Sequence, residues 1–150
     1  MIRDLTTWAE SLIQTLQGHM DSERDALTQY GRLADASPDD HVRFLMRVIL
    51  EDEVRHHGFF AQMVDNLRAE MHQTDGGGLP TMRAVEDREA LRAQTAELLR
   101  LEREDIKELQ DLRKEIAKVA DTSWWAVLID AMEADNRKHI RMLEFIHDNA

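Results

Sequence analysis

Acidic residues and histidines occupy positions where a packed helix would carry an apolar side chain. In the second helical segment apolar residues recur in steps of four and three, and Glu53 and His56 fall within this repeat. The same repeat in the other segments includes His19, Glu23, Glu102, Asp105, Asp135 and His139. An ionised carboxylate in an apolar core costs several kcal/mol unless it is paired or binds a metal. Acidic residues at core positions of all four segments therefore predict a buried metal cluster.

Four long helical segments are needed to position these residues. The pattern predicts helices over about 4–36, 38–72, 82–119 and 123–148. Ser37 is predicted to be the N-cap of the second helix, with Pro38 at its first position. Residues 121–123 are predicted to cap the fourth helix. The glycine-bearing stretch 73–80 is predicted to be the only true linker.

The composition favours a helical protein with a single domain. The chain has 150 residues, of which 43% are apolar, 5% aromatic and 33% charged, with only six glycines and two prolines. Cysteine is absent, which excludes disulfides, cysteine-ligated zinc, iron–sulfur clusters and thiol nucleophiles. No catalytic Ser/His/Asp set, phosphate loop or nucleotide fingerprint is visible in the sequence.

The charge and hydropathy of the chain argue against two classes of partner. The net charge of −11 disfavours contacts with nucleic-acid phosphates and docking to anionic lipid. No apolar run approaches the roughly 20 residues of a membrane-spanning helix. The residues after Met1 lack the apolar region of a signal peptide, so the cytoplasm is the expected compartment.

The two halves of the chain resemble each other. Glu102 lies 79 residues after Glu23, and His139 lies 83 residues after His56, each within a similar local sequence. Short turns within each half predict antiparallel helix pairs. The sequence therefore predicts two duplicated antiparallel hairpins, and the linker is long enough to serve as a crossover between them.

This pattern resembles the ferritin-like di-iron carboxylate family, which includes rubrerythrins. That family uses one Glu from each of two helices and Glu-x-x-His from each of the other two. The resemblance covers nearly the whole chain and implies an all-α, ferritin-like four-helix bundle that binds iron and oxidises Fe(II) with dioxygen or peroxide. It implies terminal ligands at Glu23 and Glu102, a bridging ligand at Glu53, and one nitrogen ligand per iron from His56 and His139. Glu23, Glu53 and Glu102 are then the candidate catalytic residues.

One position departs from the family. Asn136 stands where the family has its second Glu, and a neutral amide is a weak iron ligand. Either Asp135, four residues before His139, turns inward as a metal ligand, or Asp105 completes the cluster. The chain would then bind two metals, one, or none. Rubrerythrins usually carry a cysteine-ligated electron-transfer domain, so the absence of cysteine disfavours a self-contained peroxide reductase of that type.

A function of a different class is compatible with the same pattern. The fold would be a non-catalytic binding or scaffold module, whose buried acids accept hydrogen bonds from His, Arg and Tyr side chains. A homodimer or larger homo-oligomer is expected in both cases, because long helices expose lateral faces. His57 is expected at the flank of the apolar repeat, and His19 is expected to hydrogen-bond a metal ligand.

Overall fold

The computed structural model describes residues 5–73, 86–119 and 123–150, together with the side chains of 7–71 and of the two later ranges. This part of the chain contains four α-helices and no strand, which confirms the all-α prediction. The helices are α1 (Leu5–Ala36), α2 (Asp40–Gln73), α3 (Arg88–Ala117) and α4 (Trp124–Asn149). They divide into two compact units, Met1–Thr81 and Met82–Ala150, and each unit is a helix pair. The expected single domain stays a prediction.

The first helix pair is antiparallel. His19 of α1 lies against Phe60 of α2, with ring centroids 4.7 Å apart, and Glu23 lies against His57. Residue numbers therefore rise along α1 while those of the contacting residues fall along α2, which makes the pair antiparallel. Its fully buried apolar residues are Ala9, Ala34, Val64 and Leu67.

The second helix pair is antiparallel as well. Thr95 near the start of α3 contacts His147 near the end of α4, and Arg113 near the end of α3 binds Asp130 near the start of α4. The buried residues of this pair are Thr95, Leu99, Ala126, Ile129, Asn136 and Ala150. The side-chain amide of Asn136 is buried between α3 and α4, midway along α4.

The buried stripe contains residues of the apolar repeat in α1, α2 and α3, namely Ala9, Leu67 and Thr95, and in α4 it lies one residue beside that repeat. In α4 and at its C-cap the buried residues are Ala126, Ile129, Asn136 and Ala150. The partly buried residues Glu133, Ile140, Leu143 and His147 fill the intervals between them, again in steps of three and four. The apolar repeat of the fourth segment also runs through Trp125, Met132 and Met142 and so predicts them in the core, but all three are exposed. A helix pair buries only one stripe per helix, and the neighbouring apolar stripe remains on its surface.

Two helix starts differ from the prediction, because aspartates cap both helices. The Asp39 carboxylate accepts hydrogen bonds from the backbone N–H groups of His41 and Val42, so α2 begins at Asp40 and Ser37 is not its cap. The Asp87 carboxylate accepts from Ala90 N at 2.9 Å, so α3 begins at Arg88 rather than at residue 82. Ser123 caps α4, as predicted.

The predicted linker falls mainly on residues that the structure does not describe. Only its first residue, Gln73, is described, and it belongs to α2. The crossover therefore stays a prediction, as do the roles of residues 121 and 122 in capping α4. Among the described helices, none combines the length and the apolar character that crossing a membrane requires.

Candidate metal centre

In the first helix pair a single carboxylate lies between two histidines. Glu23 is 15% exposed, and its Oε1 atom lies 3.1 Å from Nε2 of His19. Its Oε2 atom lies 3.8 Å from Nδ1 of His57, whose side chain is 27% exposed. Both Oε2 of Glu23 and Nδ1 of His57 are buried, and neither has a hydrogen-bond partner. The pair thus contains two buried polar atoms that face each other without a hydrogen bond.

The heptad spacing of the two helices explains why Glu23 and His57 meet. Glu23 lies seven residues after Leu16 and seven before Tyr30, within the less exposed stripe of α1. His57 lies seven residues before the buried Val64 in α2. Both side chains therefore point along the contact between the helices, and the antiparallel pairing brings them to the same level.

The predicted ligands Glu53 and His56 form a separate, more exposed pair along α2. Nδ1 of His56 lies 3.9 Å from Oε2 of Glu53, and the His56 side chain is 50% exposed. The His56 ring lies beside Phe59, with centroids 6.3 Å apart. The structure therefore sets His57, and not His56, against Glu23.

The second helix pair brings together the other two predicted ligands. Nδ1 of His139 lies 3.3 Å from Oε1 of Glu102. They line a cleft of about 470 Å³ that is mainly acidic. Its lining residues are Leu101, Glu102, Glu104, Asp105, Glu108, Asn136 and His139.

Asp135 and Asn136 are the two residues of α4 that were considered for the position before His139, and Asn136 is the one that faces α3. It is 8% exposed, and its Nδ2 atom donates a 2.6 Å hydrogen bond to Oδ2 of Asp105. The Asp135 side chain is 49% exposed and accepts a hydrogen bond from Nζ of Lys138 on its own helix. Asp105 does reach the cleft, and there it accepts the Asn136 hydrogen bond.

A further acid in the buried stripe of α4 is already paired. Glu133 lies three residues before Asn136, and its carboxylate accepts hydrogen bonds from Arg137 and from Gln110 across the pair. These two donors hold the pKa of Glu133 below its usual value. Glu133 therefore has compensation for its charge without a metal.

The chemistry of the donors suits a first-row divalent ion, although the described residues present pairs rather than a complete set. Carboxylate oxygen and imidazole nitrogen are ligands for iron and for zinc. In the described ranges, no three His, Asp or Glu side chains come together as a group that could hold a metal ion. The two buried atoms of Glu23 and His57 fit a metal best, because neither makes a hydrogen bond and they lie 3.8 Å apart.

The sequence analysis did not single out His57 or Glu133 as core residues. A register running through His57, Phe60, Val64 and Leu67 has the same four and three steps as the predicted one, and it would have placed His57 in the stripe.

Comparisons of the chain with protein-family models, with curated proteins and with solved structures found no match.

Proposed function

We propose that this chain is a ferritin-like metal-binding protein that takes up iron and oxidises Fe(II) with dioxygen or peroxide. One repeated observation supports the proposal. Each helix pair sets a Glu of its first helix beside a His of its second helix, through Glu23 with His57 and Glu102 with His139. These are the ligand types that iron takes in carboxylate proteins.

In this reaction Fe(II) is the substrate and each ion loses one electron to become Fe(III). Two electrons and two protons convert dioxygen to hydrogen peroxide, or hydrogen peroxide to two water molecules. In the first helix pair the carboxylate of Glu23, with Glu53 as a further candidate, would bind a cation and balance its growing positive charge. In the second helix pair Glu102 would do the same. His19 holds one oxygen of Glu23 by a 3.1 Å contact and so orients the carboxylate. The Phe60 ring packs edge-on against His19, with ring centroids 4.7 Å apart.

The test is metal stoichiometry under anaerobic Fe(II) loading, followed by exposure to air while near-ultraviolet absorbance is recorded. Iron bound in proportion to the chain, with an oxo-ferric band after air exposure, supports the proposal. The double variant Glu23→Gln with Glu102→Gln should lose this signal. Glu97→Gln is the matched control, because Glu97 is exposed and bound to Arg100. No iron above background would reject the proposal.

The second helix pair also supports an alternative function, that of a non-catalytic binding or scaffold module. Its polar side chains make their hydrogen bonds within the protein. The buried amide of Asn136 donates to Asp105, and the carboxylate of Glu133 accepts from Gln110. A scaffold needs these contacts and no metal. Under this alternative, Glu102→Gln leaves metal uptake unchanged, whereas a metal site in the second helix pair would be weakened by it.

We further propose that the chain forms a homodimer or larger homo-oligomer. Exposed apolar side chains on α4, including Trp125, Met132 and Met142, support this proposal. Sedimentation equilibrium should show a mass above that of one chain, and Met132→Glu should lower it. A concentration-independent monomer would contradict the expectation.

A further inference from the structure

We infer that His57, and not His56, is the imidazole that binds a divalent transition metal together with Glu23. The inference rests on the proposed function and names a ligand that the ferritin-like pattern does not. That pattern takes its histidine three residues after Glu53, which is His56. The structure instead turns the next residue toward α1.

The two buried atoms that lack partners carry the inference. Oε2 of Glu23 and Nδ1 of His57 are shielded from solvent, and neither makes a hydrogen bond. Buried polar atoms without partners destabilise a fold, and each therefore calls for an explanation. A cation held by both atoms would compensate both at once.

The separation of these atoms is compatible with a shared ion. At 3.8 Å they are too far apart for a direct hydrogen bond. A metal bonded to each at about 2.0–2.2 Å can link donor atoms that are up to about 4 Å apart. Water or further ligands would complete the coordination, because the described residues offer no third converging ligand.

The neighbours of Glu23 leave only one of its oxygens available. His19 occupies Oε1 at 3.1 Å, and its ring lies edge-on to Phe60. The free oxygen, Oε2, is therefore the one directed at His57. His19 acts as a positioning residue for the carboxylate.

His56 lacks these properties. Its side chain is half exposed, and the acid beside it, Glu53, lies one turn earlier on the same helix at 3.9 Å. A flexible, solvated pair of this kind binds a cation weakly, because water competes for both groups. His56 is also adjacent to His57 in sequence, which makes it a matched control.

The experiment is titration of the full chain with Zn²⁺ by isothermal calorimetry, for the parent, His57→Gln and His56→Gln. We expect His57→Gln to weaken Zn²⁺ binding at least about tenfold, while His56→Gln stays within about twofold. The visible spectrum of the Co²⁺-loaded protein should change only for His57→Gln, because a ligand is lost from the ion. A merely structural role for His57 would leave that spectrum unchanged.

A second measurement keeps the inference testable if His57→Gln does not fold. In the parent protein, Zn²⁺ should slow modification of His57 by diethyl pyrocarbonate, mapped by mass spectrometry, more than that of His56. Loss of binding in His56→Gln, or retention in His57→Gln, overturns the inference while metal binding itself stands. Absence of Zn²⁺ and Fe²⁺ binding in the parent overturns both the inference and the proposed function.

Discussion

Asn136 donates a 2.6 Å hydrogen bond to Asp105, and this bond joins a buried residue of α4 to an exposed residue of α3. The ferritin-like pattern has a Glu at this place. A carboxylate at 136 would meet the Asp105 carboxylate, whereas the amide supplies a donor to it. Asn136 therefore works as a contact between the helices, and this role explains an amide in the buried stripe without a metal.

Asn136→Asp should destabilise the protein at neutral pH. The substitution keeps the shape but replaces the donor by an acceptor, so two carboxylates face each other. We expect a loss of about 1–3 kcal/mol in the free energy of unfolding at pH 7. The loss should shrink near pH 5, because a proton shared by the pair binds more tightly in the folded state.

Urea unfolding at the two pH values measures this effect. Asp135→Asn is the matched control on the exposed side of α4, and it should change stability by less than about 0.5 kcal/mol. Equal stability of Asn136→Asp and the parent at pH 7 would show that the Asp105 contact contributes nothing.

Asn136→Glu distinguishes the two proposed functions. If the second helix pair contributes to a metal centre, the added carboxylate beside Glu102 and His139 should increase Fe(II) uptake per chain or tighten it severalfold. A scaffold instead predicts no gain in uptake and a loss of stability from charge repulsion. Anaerobic Fe(II) stoichiometry is the measurement. Asn149→Glu is the control. It adds the same charge at a position that does not line the cleft, and it should leave Fe(II) uptake unchanged.

The sequence predicted the number and type of the helices, because their apolar periodicity is long and regular. It predicted only part of the buried stripe: Ala9, Leu67 and Thr95 lie in the apolar repeats and are buried, whereas other positions of the repeats are exposed. At the end of α1, Ala34 is 2% exposed whereas Leu33 is 52% exposed. Hydrophobicity alone favours Leu33 for the core. Small residues such as Ala9, Ala34 and Ala126 let two helices approach closely, and that geometry depends on the partner helix.

The same uncertainty in helix rotation affected the candidate site. Glu102 and His139 were predicted to share a site, and the structure sets them 3.3 Å apart. The histidine of α2 that faces Glu23 is His57 instead of His56. A shift of one residue turns a side chain by about 100° around the helix. Apolar steps of four and three do not fix the rotation that finely, because they fit both registers.

Thr95→Val should weaken the contact between α3 and α4. Thr95 is buried, and its hydroxyl oxygen lies 3.1 Å from Nδ1 of His147 while also contacting the Leu91 carbonyl. Valine keeps the shape but leaves His147 without this partner. We expect a loss of about 1 kcal/mol in the free energy of unfolding. In the control Thr15→Val, an exposed hydroxyl that bonds only within α1 is removed, and stability should change less. Equal losses would mean that the contact with His147 contributes nothing.

Asp39→Ala should lower the thermal unfolding midpoint at pH 7, and the difference from the parent should disappear in acid. Hydrogen bonds from Val42 and His41 N–H hold the pKa of Asp39 below its ordinary value of about 3.9. A lowered folded-state pKa means that the stabilisation is complete above that ordinary value and is lost as the pH falls through the folded-state pKa. Thermal scans from pH 7 to pH 2 measure this loss. Ser37→Ala is the control, because its hydroxyl lies a longer 3.4 Å from a backbone N–H. A larger effect of Ser37→Ala than of Asp39→Ala at pH 7 would identify Ser37 as the cap that α2 needs.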